Sequence, residues 1–116
     1  MSVMTYSKDK PLGWLHGEVK TPPFSLAARL ETGFLLRRLQ RGDTLTMPQS
    51  RPMPDVGPRC HELRVNDVSG QWRLIYRIDA DAIVIAEVFA KRSAKTSKTV
   101  LETCRRRLKE YDHAGK

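Results

Sequence analysis

Glu62-Leu63-Arg64-Val65, then Gly70-Gln71-Trp72-Arg73-Leu74-Ile75-Tyr76-Arg77, then an apolar run ending in Phe89-Ala90-Lys91-Arg92: this stretch decides the fold. From Arg59 to Val65 the residues alternate, with His61, Leu63 and Val65 on one face and Cys60, Glu62 and Arg64 on the other. That is the period of a strand with two different faces. Asn66 to Gly70 reads as a turn, after which Trp72, Leu74, Tyr76 and Ile78 oppose Arg73, Ile75 and Arg77. A second turn at Asp79-Ala80-Asp81 leads into Ile83-Val84-Ile85-Ala86 and Val88-Phe89, apolar on both faces as a central strand is. The outcome is three adjacent antiparallel strands that bring arginines and lysines together at one end. His61 shares its face with Leu63 and Val65, so it reads as a packed, hydrogen-bonded histidine rather than a general base.

Working outward, Trp14 to Val19 reads as a first strand, and Thr21-Pro22-Pro23 punctuates the chain. Ser25 is placed to cap a helix that reaches Leu39 or Gln40 and stops at Gly42. That helix carries Leu26, Leu30 and Phe34 on one stripe and Ala28, Leu35 and Leu39 on another, wider than one sheet face needs. The second stripe is expected to be partly exposed, covered either by the loop that follows or by a protein partner. Residues 42 to 58 hold Pro48, Pro52, Pro54 and Pro58 and read as that loop, with room for one short helical turn. After Phe89, Ser97 is placed to cap a last helix whose Val100, Leu101, Cys104, Leu108 and Tyr111 recur at helical spacing. Arg105 to Arg107 mostly face outward, and Arg77 reads as structural. The order β-α-loop-β-β-β-α makes an α+β fold: an antiparallel sheet of about four strands with the helices on one face. Residues 1–116 are expected to form one domain, with 1–12 a flexible lead.

With 116 residues and 40% hydrophobic content the chain has room for one core. No apolar run reaches the roughly 20 residues that cross a bilayer, and MSVMTYSKDKPLG lacks the apolar stretch of a signal peptide. A cytoplasmic protein without membrane contact is expected. Cys60 and Cys104 form no CxxC or Cys/His cluster, so buried thiols are expected, with neither a zinc site nor a disulfide. The three histidines, His16, His61 and His113, belong to no metal or triad motif. No cofactor is implied. The net charge is +8, and Lys91 to Lys109 carries eight Lys or Arg against the single Glu102, which leaves the rest nearly neutral. Such a concentration points either to a polyanionic partner or to a solvated helix face.

A cationic cluster on adjacent strands has a chemical use on RNA. The 2′-OH is the nucleophile, so the protein need only align it, stabilise the charge that develops on the phosphate and assist proton transfer. Arginine offers a fixed fork to phosphate oxygens, and lysine a mobile charge whose pKa can fall beside other cations. Arg64, Arg73, Lys91 and Arg92 meet that demand.

Taken in order, "ELRV", "GQWRLIYR" and "VFAKRSAKTS" followed by a helix resemble the toxins of bacterial toxin–antitoxin pairs in the RelE/ParE superfamily, in the phage-related HigB-like branch. The resemblance runs from "GWL…PPFS" to the final helix. It implies a RelE-like fold and a ribosome-dependent mRNA endoribonuclease that cleaves by metal-independent 2′-OH transesterification. It also implies neutralisation by a cognate helix-turn-helix antitoxin. In that family the arginine of a Gly-aromatic-Arg strand contacts the scissile phosphate; Arg73 takes that place with Gln71 as one extra residue, and Arg92 matches a second arginine after the last strand. Glu62 stands where the family has a lysine base, to act as base or to bridge to an arginine, and Lys98 lies near the position of an absent tyrosine. Lys95, Lys98, Arg105, Arg106 and Lys109 are the residues expected to hold RNA of the ribosome and message, and Leu35 and Leu39 those expected to meet the antitoxin. Two other functions fit the same pattern: a ParE-like inhibitor of DNA gyrase, and a non-enzymatic phage-derived module that binds nucleic acid or protein.

Overall fold

The computed structural model describes residues 9–15 and 24–115. Its elements are β1 (Leu12–Trp14), α1 (Leu26–Gln40), β2 (Ser50–Pro52), β3 (Cys60–Asp67), β4 (Gly70–Ile78), β5 (Ile83–Ala90) and α2 (Lys98–Ala114). They build an α+β fold compatible with the RelE-like arrangement. The meander β3-β4-β5 follows the alternation, with Leu63 opposite Leu74 and Arg64 opposite Arg73. Val68 and Ser69 make the tight turn between β3 and β4, and Gly70 closes it at φ 141°, which a side chain would strain.

The sheet has five strands in the order β1-β5-β4-β3-β2, and it is mixed rather than wholly antiparallel. β1 runs parallel to β5, Leu12 beside Ile83 and Trp14 beside Ile85. It begins two residues before the strand expected at Trp14, and 16 to 19 of that expected strand lie outside the described residues. The proline-rich loop contributes a short strand of its own: Ser50, Arg51 and Pro52 pair antiparallel with Leu63, Glu62 and His61. The prolines hid it, yet an edge strand tolerates a proline whose missing N–H faces away from the ladder.

The two helices lie on opposite faces of the sheet, not on one. Ala28, Leu35, Leu36 and Leu39 of α1 pack with Leu63, Val65, Leu74, Tyr76, Ile83 and Ile85. Cys104 and Leu108 of α2 pack with Cys60, Ile75, Val84 and Ala86 from the other face, together with Met53 and Val56 of the loop. A sheet with apolar residues on both faces needs cover on both. This corrects the expectation for α1. Leu35 and Leu39 are core residues and offer no surface to an antitoxin; the stripe left in solvent is Leu26, Leu30 and Phe34.

Both expected caps form. Ser25 Oγ accepts from Ala28 N at 3.1 Å, and Ser97 Oγ from Val100 N at 3.2 Å. Ser25 also donates from its N and Oγ to Asp67 at 2.8 and 2.6 Å, which ties the start of α1 to the β3–β4 turn and holds the Asp67 carboxyl well below its ordinary range. α1 ends as expected at Gly42, where Gly42 N donates to Leu39 O and Asp43 N to Arg38 O, the double bond of a Schellman cap. Cys60 and Cys104 are buried free thiols, with burial pushing Cys104 up to about 12. Among the described residues no helix is long and apolar enough to cross a membrane.

Candidate nucleic-acid site

A one-residue shift of register in the sheet sets the site. Ile75 pairs with Glu87 but Tyr76 with Ile85, so Ala86 has no partner on β4. Before the shift Ile83 and Ile85 face α1 and Val84 and Ala86 face α2; after it Val88 packs toward α1 and Phe89 toward α2. Alternation from Phe89 therefore carries Lys91 to the α2 face, the face of Arg73. Lys91 N donates to Gln71 O at 2.7 Å and fixes the chain there.

Arg64, Gln71, Arg73, Lys91, Arg92 and Ser93 consequently line one cleft of about 530 Å³ at the end of β3, β4 and β5. Arg64 and Arg73 are direct cross-strand neighbours. Like charges set opposite each other repel, so their adjacency calls for an anion. One is supplied from within the protein.

The internal anion is Glu62, fully buried beneath the cleft. Its Oε1 lies 3.0 Å from Arg51 Nε and 3.7 Å from Arg73 Nε, and its Oε2 accepts from Thr96 Oγ1 at 3.2 Å. Both oxygens are engaged, so Glu62 bridges arginines and anchors the 91–97 segment; a free proton acceptor facing the cleft is not what the geometry offers. Arg73 Nη1 donates to Trp72 O at 2.8 Å, while its buried Nε has no hydrogen-bond partner. An unsatisfied buried donor is costly and in native structures asks for an explanation. Burial, with Arg64 and Arg51 against Glu62, draws the Arg73 pKa down from its ordinary value, though a guanidinium stays charged. Lys91 is drawn below 10.5 by burial first, with Arg51, Arg73 and Arg64 adding to the effect and Glu62 opposing it.

The other expected site residues do not all gather here. Arg92 lies in the cleft and is exposed; Lys95 is exposed on the adjoining segment, which also borders a second hollow lined by Phe89, Thr96 and Val100. Lys98, Arg105 and Lys109 share one exposed face of α2, and Arg106 is exposed on the same helix. Arg105 and Lys109 line a separate hollow of about 380 Å³ with Cys60 and Arg77, and Arg105 Nε donates to Asp55 O at 2.7 Å. The basic helix is thus a stripe leading away from the cleft. Arg107 is not outward: it donates to Ala86 O at 2.8 Å and sits 3.3 Å from Glu87. Arg77 is structural as expected, forked onto Asp79 and Asp112 and lying over the Tyr111 ring. His61 stacks on Tyr76 with ring centres 5.4 Å apart, the packed role read for it.

Arg51 and Thr96 were missed by the sequence reading. Arg51 was hidden because β2 was read as loop, and the only signal was one arginine between Ser50 and Pro52. Among the described residues no three His, Cys, Asp or Glu side chains gather as a metal set does.

The family model described as Phage derived protein Gp49-like (DUF891) matches residues 23–109, a span that holds α1, the meander and all but the end of α2. No curated protein matches the chain.

Proposed function

The chain belongs to the family of Gp49-like phage-derived proteins, and on that premise we propose that it is a growth-inhibiting toxin: a ribosome-dependent mRNA endoribonuclease, neutralised by a cognate antitoxin. The observation that carries this reading is the convergence of Arg64, Arg73, Lys91 and Arg92 on one cleft. Four cations, from β3, β4 and the segment after β5, suit one phosphate that gains charge in its transition state.

In this reading the message enters the cleft with its scissile phosphate against Arg73, whose guanidinium is held from below by Glu62. The 2′-OH gives its proton to the unprotonated amine of Lys91, whose pKa burial and the nearby arginines draw down. The O2′–P bond forms, the P–O5′ bond breaks, and the leaving 5′ oxygen takes a proton from water. The products are a 2′,3′-cyclic phosphate and a 5′-OH end. Arg64 and Arg92 stabilise the equatorial oxygens. The exposed stripe of Lys98, Arg105 and Lys109 supports binding to ribosomal RNA through phosphates, without reading sequence. A gyrase inhibitor has no need of such a cleft.

The test is inducible expression followed by primer extension on a translated and an untranslated reporter mRNA. Growth arrest with cuts in the translated message alone is expected. Arrest without cleavage overturns the nuclease reading. Co-sedimentation with ribosomes should weaken steeply as salt rises, because each neutralised phosphate releases counterions; association indifferent to salt counts against an RNA-directed protein.

A further inference from the structure

The outer face of α1 is apolar, and nothing among the described residues covers it. Leu26, Leu30 and Phe34 are 73%, 65% and 60% exposed, while the opposite side of the same helix is core. A contiguous apolar patch on a small domain marks an interface. Leu26, Leu30, Phe34, Arg37 and Arg41 follow one another at the three- and four-residue steps of a seam along which a second helix packs.

Gly33 is an independent sign. It lies inside α1 on the exposed side, and a side chain there would meet nothing within 4 Å. Glycine in a helix interior costs about 0.5–1 kcal/mol relative to alanine, and no packing among the described residues asks for it. Bare backbone at the middle of an exposed apolar seam allows another backbone to approach closely.

Charge selects the occupant. The seam ends in the exposed Arg37 and Arg41, and the chain as a whole carries +8. A second copy would bring cation to cation, and RNA gains little from Leu26, Leu30 and Phe34. An amphipathic helix with leucine-like anchors and acidic residues at one end complements both parts of the surface. We propose that the Leu26–Leu30–Phe34 seam, with Gly33 at its middle and Arg37 and Arg41 at its end, docks an acidic amphipathic helix of the neutralising protein. The proposal rests on the toxin reading above and adds the surface and the chemistry of the partner.

The probe is the purified product of the gene adjacent to this one, titrated by calorimetry into wild-type protein and into Phe34→Ser, Gly33→Leu and Arg37→Glu. Phe34→Ser and Gly33→Leu should each weaken binding at least about tenfold, as loss or obstruction of a central anchor does. Arg37→Glu should weaken it most at low salt. Gly33→Leu should melt at or above the wild-type temperature, which separates docking from folding. Cleavage of translated mRNA without the partner should be unchanged in all three, because α1 lies across the sheet from the cleft. Wild-type affinity in the Phe34 and Gly33 variants overturns the docking site while leaving the nuclease reading intact. Binding through the seam by a protein that cleaves nothing supports the docking site and removes the nuclease. No binding by the wild type overturns the proposal, and so does a wild-type dimer in light scattering that Phe34→Ser converts to monomer.

Discussion

Arg73 Nε lies 3.7 Å from the Oε1 of Glu62, and the two side chains are 2% and 0% exposed. A cation assigned to substrate is therefore also half of a buried ion pair. Alternation alone, which sets Arg73 opposite Trp72 and Leu74, predicts that its truncation costs little stability. Burial against Glu62 reverses that expectation. Removing one partner leaves a buried charge short of compensation, although Arg51 and Thr96 still hold the carboxylate.

Arg73→Ala should lose about 2–3 kcal/mol of stability and, under the proposed function, slow cleavage roughly 10²- to 10³-fold. Adding Glu62→Gln removes the orphaned charge and should restore much of the melting temperature without restoring cleavage. Arg73→Lys should recover only part of the rate, since a point charge lacks the fork. Thermal melts beside single-turnover cleavage on programmed ribosomes make the comparison. A folded Arg73→Ala protein that cleaves at the wild-type rate would remove Arg73 from the chemistry.

Lys91 is held below 10.5, so as a general base it becomes competent as pH rises. The cleavage rate should climb over the pH range below 10.5 and level off above the depressed pKa. Lys91→Arg keeps the charge but cannot deprotonate in this range; its profile should be flat and low. A rising limb that survives this substitution assigns the proton to another group.

The Asp67 carboxyl titrates well below its ordinary 3.8 because Ser25 and Ser69 donate to it. A depressed acid contributes stability in full above its unfolded value. That contribution falls away as pH drops from about 3.8 through the folded value. Acid unfolding followed by helical circular dichroism should therefore begin at higher pH in Asp67→Asn. Ser25→Ala, which also loses the cap, should cost about 1 kcal/mol at neutral pH. Identical acid transitions in wild type and Asp67→Asn would refute the link.

Arg77 joins β4 to α2 through Asp79 and Asp112, and its pKa is raised by both. Arg77→Met should destabilise by about 2–3 kcal/mol, lowering the melting temperature by something like 10 °C for a domain of this size. At temperatures where the variant is folded, its cleavage and ribosome affinity should match wild type. Loss of cleavage in the folded variant would extend the site to this end of the sheet.

Much of this molecule was legible in one dimension. Strict alternation around His61 to Val65 and Trp72 to Ile78, turn residues at Gly70 and Asp79, and caps at Ser25 and Ser97 are local signals, and each element they announce is present. The candidate cations Arg64, Arg73, Lys91 and Arg92 were legible for the same reason, as positions on or just after strands near shared ends. β2 was not, because its pairing with β3 is decided by partners nine to thirteen residues away and its proline reads as loop. The wetter stripe of α1 was misjudged because both stripes are apolar, and only the position of the sheet says which one is covered.

The sequence by itself determined the periods: where the three meander strands and the two helices lie, where they stop, and that a strongly basic segment follows the last strand. Those are consequences of side-chain spacing and backbone freedom within a few residues. Only the tertiary structure decided which face each residue serves. The helices cover opposite sides because both faces of the sheet are apolar. One unpaired residue at Ala86 inverts the alternation of β5 and turns Phe89 and Lys91 toward Arg73. Glu62, Arg51 and Thr96, distant in sequence, meet because β2, β3 and the segment after β5 converge. A shift of one residue in a strand moves every later side chain to the other face, and no local pattern records which register the neighbouring strands will impose.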